Sequence, residues 1–165
     1  MGGPGHRATG DPRDHRRGVG WEVLHVAIDD ATRLVYAEIL PDEKAATTAR
    51  FTLRALRWFG EQGVPVRRIL SDDGSAYRSR LFARTLRRLR IRHRFTRPYR
   101  PRTNGKVERW IRTVLSECLY LEVFGDGRQR RLALDRFIRY HNGVRPHLGI
   151  GGRTPRQRLS EKLAA

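Results

Sequence analysis

Apolar and polar positions recur along this chain at two periods, two residues and three to four, and the order in which the periods succeed each other predicts an α/β fold. From Trp21 to Ile28 the residues Leu24, Val26 and Ile28 form an apolar face and Val23, His25 and Ala27 a mixed one, which is a strand pattern. Asp29-Asp30-Ala31-Thr32-Arg33 supplies a turn and Leu34 to Leu40 returns, predicting a hairpin. Ala45, Ala49, Leu53 and Leu56 then predict a helix to about Trp58, opened by Asp42 as cap and Glu43 beside it and closed near Gly60 or Gly63. Val64 to Leu70 reads as the next strand. Ser79 is placed to cap a helix with Leu81, Phe82, Thr85, Leu86 and Leu89 inward and Arg80, Arg84, Arg87, Arg88 and Arg90 outward, an outer face that suits solvent or a phosphate backbone. A short strand from Ile91 to Phe95 leads to a long helix from about Asn104 to Leu121, whose stripe is Val107, Trp110, Ile111, Val114, Leu115, Cys118 and Leu121. Gly125-Asp126-Gly127 breaks the pattern, and Leu132, Leu134, Phe137, Ile138 and Tyr140 supply a last helix.

The ends lack these periods. Residues 1–20 are Gly, Pro, Arg and His with nothing to pack, and are expected to be disordered; the scattered His6, Asp11, Asp14 and His15 there read as solvated. The organisation expected is this tail, a core over 21–141, and a basic, turn-rich C-terminal tail over 142–165.

Charge changes the picture more than hydropathy does. The 165 residues carry 35 Lys and Arg against 17 Asp and Glu, a net +18. Lys is confined to Lys44, Lys106 and Lys162, so the excess is written almost wholly in Arg; a preference for one cation does not explain the size of the excess. A polyanionic partner does, nucleic acid first. No RNP pattern or aromatic stacking run points to an RNA-binding domain. The single cysteine, Cys118, lies on an apolar stripe and reads as core packing. No stretch has the ~20 apolar residues of a membrane span, and residues 1–20 lack the apolar centre of a signal peptide, so a cytoplasmic home is expected.

Two carboxylates stand out against that background. Asp72 follows Ile69-Leu70 and precedes the Asp73-Gly74-Ser75 turn, so a strand end would expose it. Glu108 comes after 35 intervening residues, on the first turns of the long helix beside its buried stripe. Arg109 and Arg112 flank it, so a helix-surface ion pair is the plain alternative. Between the two acids lies Arg97-Pro98-Tyr99-Arg100-Pro101-Arg102-Thr103-Asn104-Gly105-Lys106, too rich in Pro and Gly for a regular element and cationic enough for phosphate.

Ser71-Asp72-Asp73-Gly74-Ser75, the 35-residue gap, and Pro98 through Arg109 together resemble the catalytic core of retroviral-type integrases and of insertion-sequence transposases that carry an integrase core. Tyr140-His141-Asn142 and Arg145-Pro146-His147 are similar to the tail of the bacterial members, and the likeness extends over about 20–159. It implies a ribonuclease-H-like mixed sheet flanked by helices and an Asp, Asp, Glu triad that moves phosphodiesters on DNA. Asp72 and Glu108 would be the second and third members, as catalytic residues and as ligands of Mg²⁺ or Mn²⁺. Arg97, Arg100, Arg102, Asn104, Lys106 and Arg109 would contact DNA, and homo-oligomers are implied for an intact transposase. In the family the first Asp sits on an earlier strand that pairs with the segment 21–28. The expectation is therefore a fold lacking its first strand, inactive alone, with Asp29 and Asp30 the only substitutes and both misplaced. The alternative function is a non-catalytic DNA-binding relic or a regulator of an intact transposase.

Overall fold

The computed structural model describes residues 22–96, 105–121 and 123–165. The expected tail over 1–20, Trp21 and the basic segment with Arg97, Arg100, Arg102 and Asn104 lie outside them.

The hairpin forms as the alternation predicts. Strands β1 (Val23–Ile28) and β2 (Val35–Leu40) pair antiparallel, with Val23 opposite Leu40 and Ile28 opposite Val35. Asp29 organises the turn: its carboxylate accepts the backbone N–H and the hydroxyl of Thr32 at 2.8 and 2.7 Å, and Arg33 takes a left-handed φ of 66°.

Helix α1 (Ala45–Glu61) starts later than expected. Lys44 occupies the cap position without a side-chain bond, and Asp42 instead accepts the N–H of Lys44 at 2.9 Å, shaping the approach to the helix. Strand β3 (Arg68–Ser71) also begins after its expected Val64 start; Pro65 has no N–H to give a ladder. A short helix α2 (Ser75–Arg78) and α3 (Arg80–Arg88) follow, with the Ser79 hydroxyl accepting the N–H of Phe82 at 3.1 Å, as predicted. Strand β4 (Arg92–Phe95) runs parallel to β3, Arg68 opposite Arg92 and Ser71 opposite Phe95.

The single helix expected over 104–121 is two windings. Helix α4 (Gly105–Val114) passes into a π turn, Leu115–Leu119, closed by the N–H of Tyr120 on the carbonyl of Leu115 at 2.9 Å. Five residues approximate one π turn, so Leu119 falls near the face of fully buried Val114, which an α-helix would rotate away. Helix α5 (Gly127–Gly143) is capped by Asp126, which accepts the N–H of Gln129 at 2.7 Å. The stretch read as turn-rich, 142–165, contains a further helix, α6 (Pro155–Leu163). It opens with a reciprocal box in which Thr154 accepts the N–H of Gln157 and Gln157 accepts that of Thr154, and it packs on α5.

Among the described residues the four strands form two separate two-stranded sheets, and each has its own core. The larger joins Leu24, Val35, Ala37 and Ile39 of the hairpin to Trp110 and Val114 of α4 and Leu134 and Phe137 of α5, with half-buried Cys118 at its rim. The smaller joins Ile69 of β3 to Phe82 and Leu86 of α3. Helix α1 bridges them: Ala49 and Leu56 enter the smaller core, while Phe51 stacks on Tyr36 of β2 and packs against His25 of β1.

Candidate active site

Asp72 emerges where β3 ends. Its carboxylate accepts the N–H of Gly74 at 3.0 Å, the local turn that the Asp-Gly spacing predicts, and it is half-buried. One residue earlier, buried Ser71 donates its hydroxyl to the carbonyl of Asp72 at 2.8 Å, and His93 of β4 bonds the same hydroxyl at 2.8 Å. Burial beside the Phe82 and Phe95 rings desolvates His93 and lowers its pKa. The adjacent Asp73 pairs with Arg78 at 3.2 Å and belongs to the turn.

A cleft opens at Asp72. Leu24, His25 and Val26 of β1 line it, as do Glu43 and Thr48 at the start of α1 and Gly74 to Tyr77 after β3. Burial pushes the Tyr77 phenol up to about 12, with the negative charges of Asp72 and Glu43 adding to the effect. His25 donates from Nε2 to the carbonyl of Asp42 at 2.9 Å, and burial lowers its pKa. Sequence reasoning missed Glu43, His25 and Tyr77 as neighbours of Asp72. Glu43 carried only the signal of an acid near a helix start, and the other two carried none.

Glu108 sits on the first turn of α4, beside buried Trp110, and α4 packs against β1, the strand that also walls the Asp72 cleft. Half-buried Glu108 forms no ion pair with Arg109, Arg112 or any other described residue. The helix-surface pair that its neighbours invite is not made. Arg109 is exposed and forms no ion pair among the described residues, whereas Lys106 reaches across to Asp30 in the β1–β2 turn and fastens the start of α4 to the hairpin. Among the described residues no three His, Cys, Asp or Glu side chains gather as a metal site. What Asp72 and Glu108 offer is an all-oxygen donor set, which suits a hard divalent cation that keeps waters and shares phosphate oxygens.

Comparison with known proteins places this architecture. An integrase core domain model matches residues 3–101, and a second integrase core domain model matches 89–155. The catalytic core of the integrase of BIV superposes with a TM-score of 0.65 at 24% identity over 87% of this chain and 88% of that one. The HTLV-2 integrase core, solved as a dimeric form in complex with magnesium, gives 0.57 at 22% identity over 84% of each chain. Among curated relatives, the Pol-related polyprotein of the mouse intracisternal A-particle MIA14 is 33% identical over 93 residues, 56% of this chain and 10% of its own length. A protein of Caenorhabditis elegans, K02A2.6, is 33% identical over 134 residues, 80% of this chain and 10% of its own. The putative transposase InsK of insertion sequence IS150 from Escherichia coli K12 is 33% identical over 85 residues, 52% of this chain and 30% of its own. The chain thus spans about a tenth to a third of the length of these relatives.

The fold is the ribonuclease-H-like α/β class of the integrase catalytic cores. The chain belongs to the integrase core domain family. Among its described residues no helix is long and apolar enough to cross a membrane.

Proposed function

We propose that the chain is the catalytic-core portion of a transposase or integrase acting in DNA integration, with Asp72 and Glu108 holding Mg²⁺ or Mn²⁺. The observation that carries this reading is the state of Glu108: half-buried, within four residues of three cations, and ion-paired to none among the described residues. A carboxylate kept out of its obvious salt bridges is available as a ligand. Asp72 supplies the second from a strand end fixed by the Ser71–His93 bonds.

A bound divalent cation would supply Lewis acidity to a phosphodiester whose attacking and leaving oxygens both gather charge. The remaining work belongs to the chain. Arg97, Arg100, Arg102 and Asn104 lie between the two acids in sequence and would hold the phosphate backbone. Arg109 would add an exposed cation one residue past Glu108. Lys106 would exchange its Asp30 contact for a phosphate, which couples DNA binding to the hairpin turn. Backbone contacts of this kind position a duplex without reading its sequence. Assembly of more than one copy fits relatives solved in dimeric and trimeric forms.

The test replaces Mg²⁺ with Fe²⁺ and adds ascorbate and peroxide, so that hydroxyl radicals cut the chain beside its metal ligands. Cuts near both 72 and 108, suppressed by excess Mg²⁺ and lost together in Glu108→Gln, are expected. Cutting at neither place, or at one place indifferent to Glu108, would leave a DNA-binding chain without metal chemistry.

A further inference from the structure

The β3–β4 sheet has one covered face and one bare one, and the bare face is written in arginine. Partners in a parallel ladder point to the same side, so the register sorts the residues. Ile69 and His93 face inward, Ile69 into the smaller core and His93 against the Phe82 ring at 5.1 Å. Arg68 lies opposite Arg92 and Leu70 opposite Arg94 on the other side, and all four are exposed.

Arginine directly opposite arginine is a destabilising pair in a sheet. The usual relief is an acid nearby. None of Arg68, Arg92 and Arg94 forms an ion pair among the described residues, although ten other ion pairs are made elsewhere in them. Arg67 extends the exposed cations by one residue. Arg92 and Arg94, two residues apart on one strand, are separated by about 6.6 Å along it, so the face offers a row of charges on a rigid ladder and not on flexible loops. From β4 the chain passes through Thr96 straight into the Arg97 to Lys106 segment.

We infer that the bare face of the β3–β4 sheet is a DNA-binding surface in its own right, in which Arg68, Arg92 and Arg94 contact the phosphate backbone of a duplex. The nature of the polyanion rests on the function proposed above; the charge arrangement does not. The repulsion built into the Arg68–Arg92 pair is relieved when phosphates lie between the guanidinium groups, and so the free chain keeps an arrangement that only a polyanion completes.

The experiment titrates the full chain against a fluorescent DNA duplex at several salt concentrations. Each phosphate contact contributes about 0.9 to the slope of log affinity against log salt. The triple variant R68Q/R92Q/R94Q should lower that slope by about 2 to 3, while R68K/R92K/R94K should keep it close to that of the unaltered chain. Thermal melting supplies an independent readout, since removing the repulsion should leave the triple glutamine variant at least as stable as its parent. An unchanged slope, or a loss seen with an RNA duplex and not with DNA, would overturn the inference. Glu108→Gln separates the two readings: it abolishes the iron-directed cuts if Glu108 is a metal ligand, and it leaves the arginine-dependent slope in place whether or not it is.

Discussion

Asn142 of α5 treats Val35 of β2 as a strand partner: its carboxamide accepts the N–H of Val35 at 2.9 Å and donates to the carbonyl of Val35 at 2.8 Å. Both residues are almost wholly buried. The amide closes an edge of the hairpin that no strand covers among the described residues, and it ties the far end of α5 to the sheet. Asn142→Ala would leave a donor and an acceptor buried without partners, at about 1 to 3 kcal/mol each. Chemical denaturation should show a loss of about 2 to 6 kcal/mol, and a loss below about 1 kcal/mol would mean that the Val35 amide finds water instead. Asn142→Asp should be no better, because it removes the donor and buries a charge.

Glu22 holds Arg130, only 7% exposed, at 2.8 Å, and also touches the half-exposed Arg131 at 3.1 Å. The two contacts differ in worth. Breaking a buried pair from one side costs about 3 to 5 kcal/mol, whereas an exposed pair is worth about 0 to 1. Glu22→Gln should therefore destabilise the chain by more than Arg131→Ala, which should cost less than about 1 kcal/mol, both read by thermal or chemical unfolding. Equal effects would show that Arg130 draws its support elsewhere.

Acid should unfold the chain through its histidines. His141 is 5% exposed, between the Trp110 ring at 5.9 Å and the His147 ring at 4.4 Å, and burial lowers its pKa from 6.5 to about 4, with the charges of His147 and Arg145 contributing. Its Nε2 donates to the carbonyl of Arg33 at 3.3 Å, so a second proton must go to Nδ1, which is buried without an acceptor among the described residues. The unfolded chain then takes up the proton more readily than the folded one. Stability should be level above about pH 6.5 and fall as the pH drops from 6.5 towards 4, by up to about 1.4 kcal/mol per pH unit from this group. His25, His93 and His147 are shifted the same way and add to the slope. In His141→Phe the dependence should flatten, and an unchanged pH profile would remove His141 from the account.

DNA binding by the whole chain should fall linearly in log affinity with log salt and should vary little with base sequence, given a net charge of +18. Replacing Arg97, Arg100 and Arg102 together by glutamine should weaken every duplex alike. Selective loss on one sequence would mean that these arginines reach base edges.

Local signals carried much of this structure. The hairpin was legible because Asp29 and Thr32 form a turn between two alternating runs, and α3 because Ser79 stands where a cap must. The positions of Asp72 after a strand and Glu108 on a first helical turn followed from the residues around them. Other features depend on packing at a distance. Nothing between Leu115 and Leu119 breaks a helical pattern; the winding widens there to bring Leu119 beside Val114 in the core. The cleft at Asp72 draws on β1, α1 and α2, so Glu43 and His25 meet it only once the chain has folded. The box opening α6 is a different case: Thr154-Pro155-Arg156-Gln157 is a readable helix start, hidden by the surrounding glycines and arginines.

The two cores give the candidate site an unusual mechanical setting. Asp72 hangs from β3, the first strand of the smaller core's sheet, and Glu108 rides on the helix that plugs the larger, with α1 as the span between them. Sub-domains linked in this way can open separately, each on its own clock of amide exchange. An ion held by both carboxylates would act as a cross-brace: at a hundred times its dissociation constant, it would add about 2.7 kcal/mol to any opening that parts the two acids and nothing to one that leaves them together. Slowed exchange in β3 and α4 at once, on adding Mg²⁺ without DNA, would be the signature of two foldons locked into one.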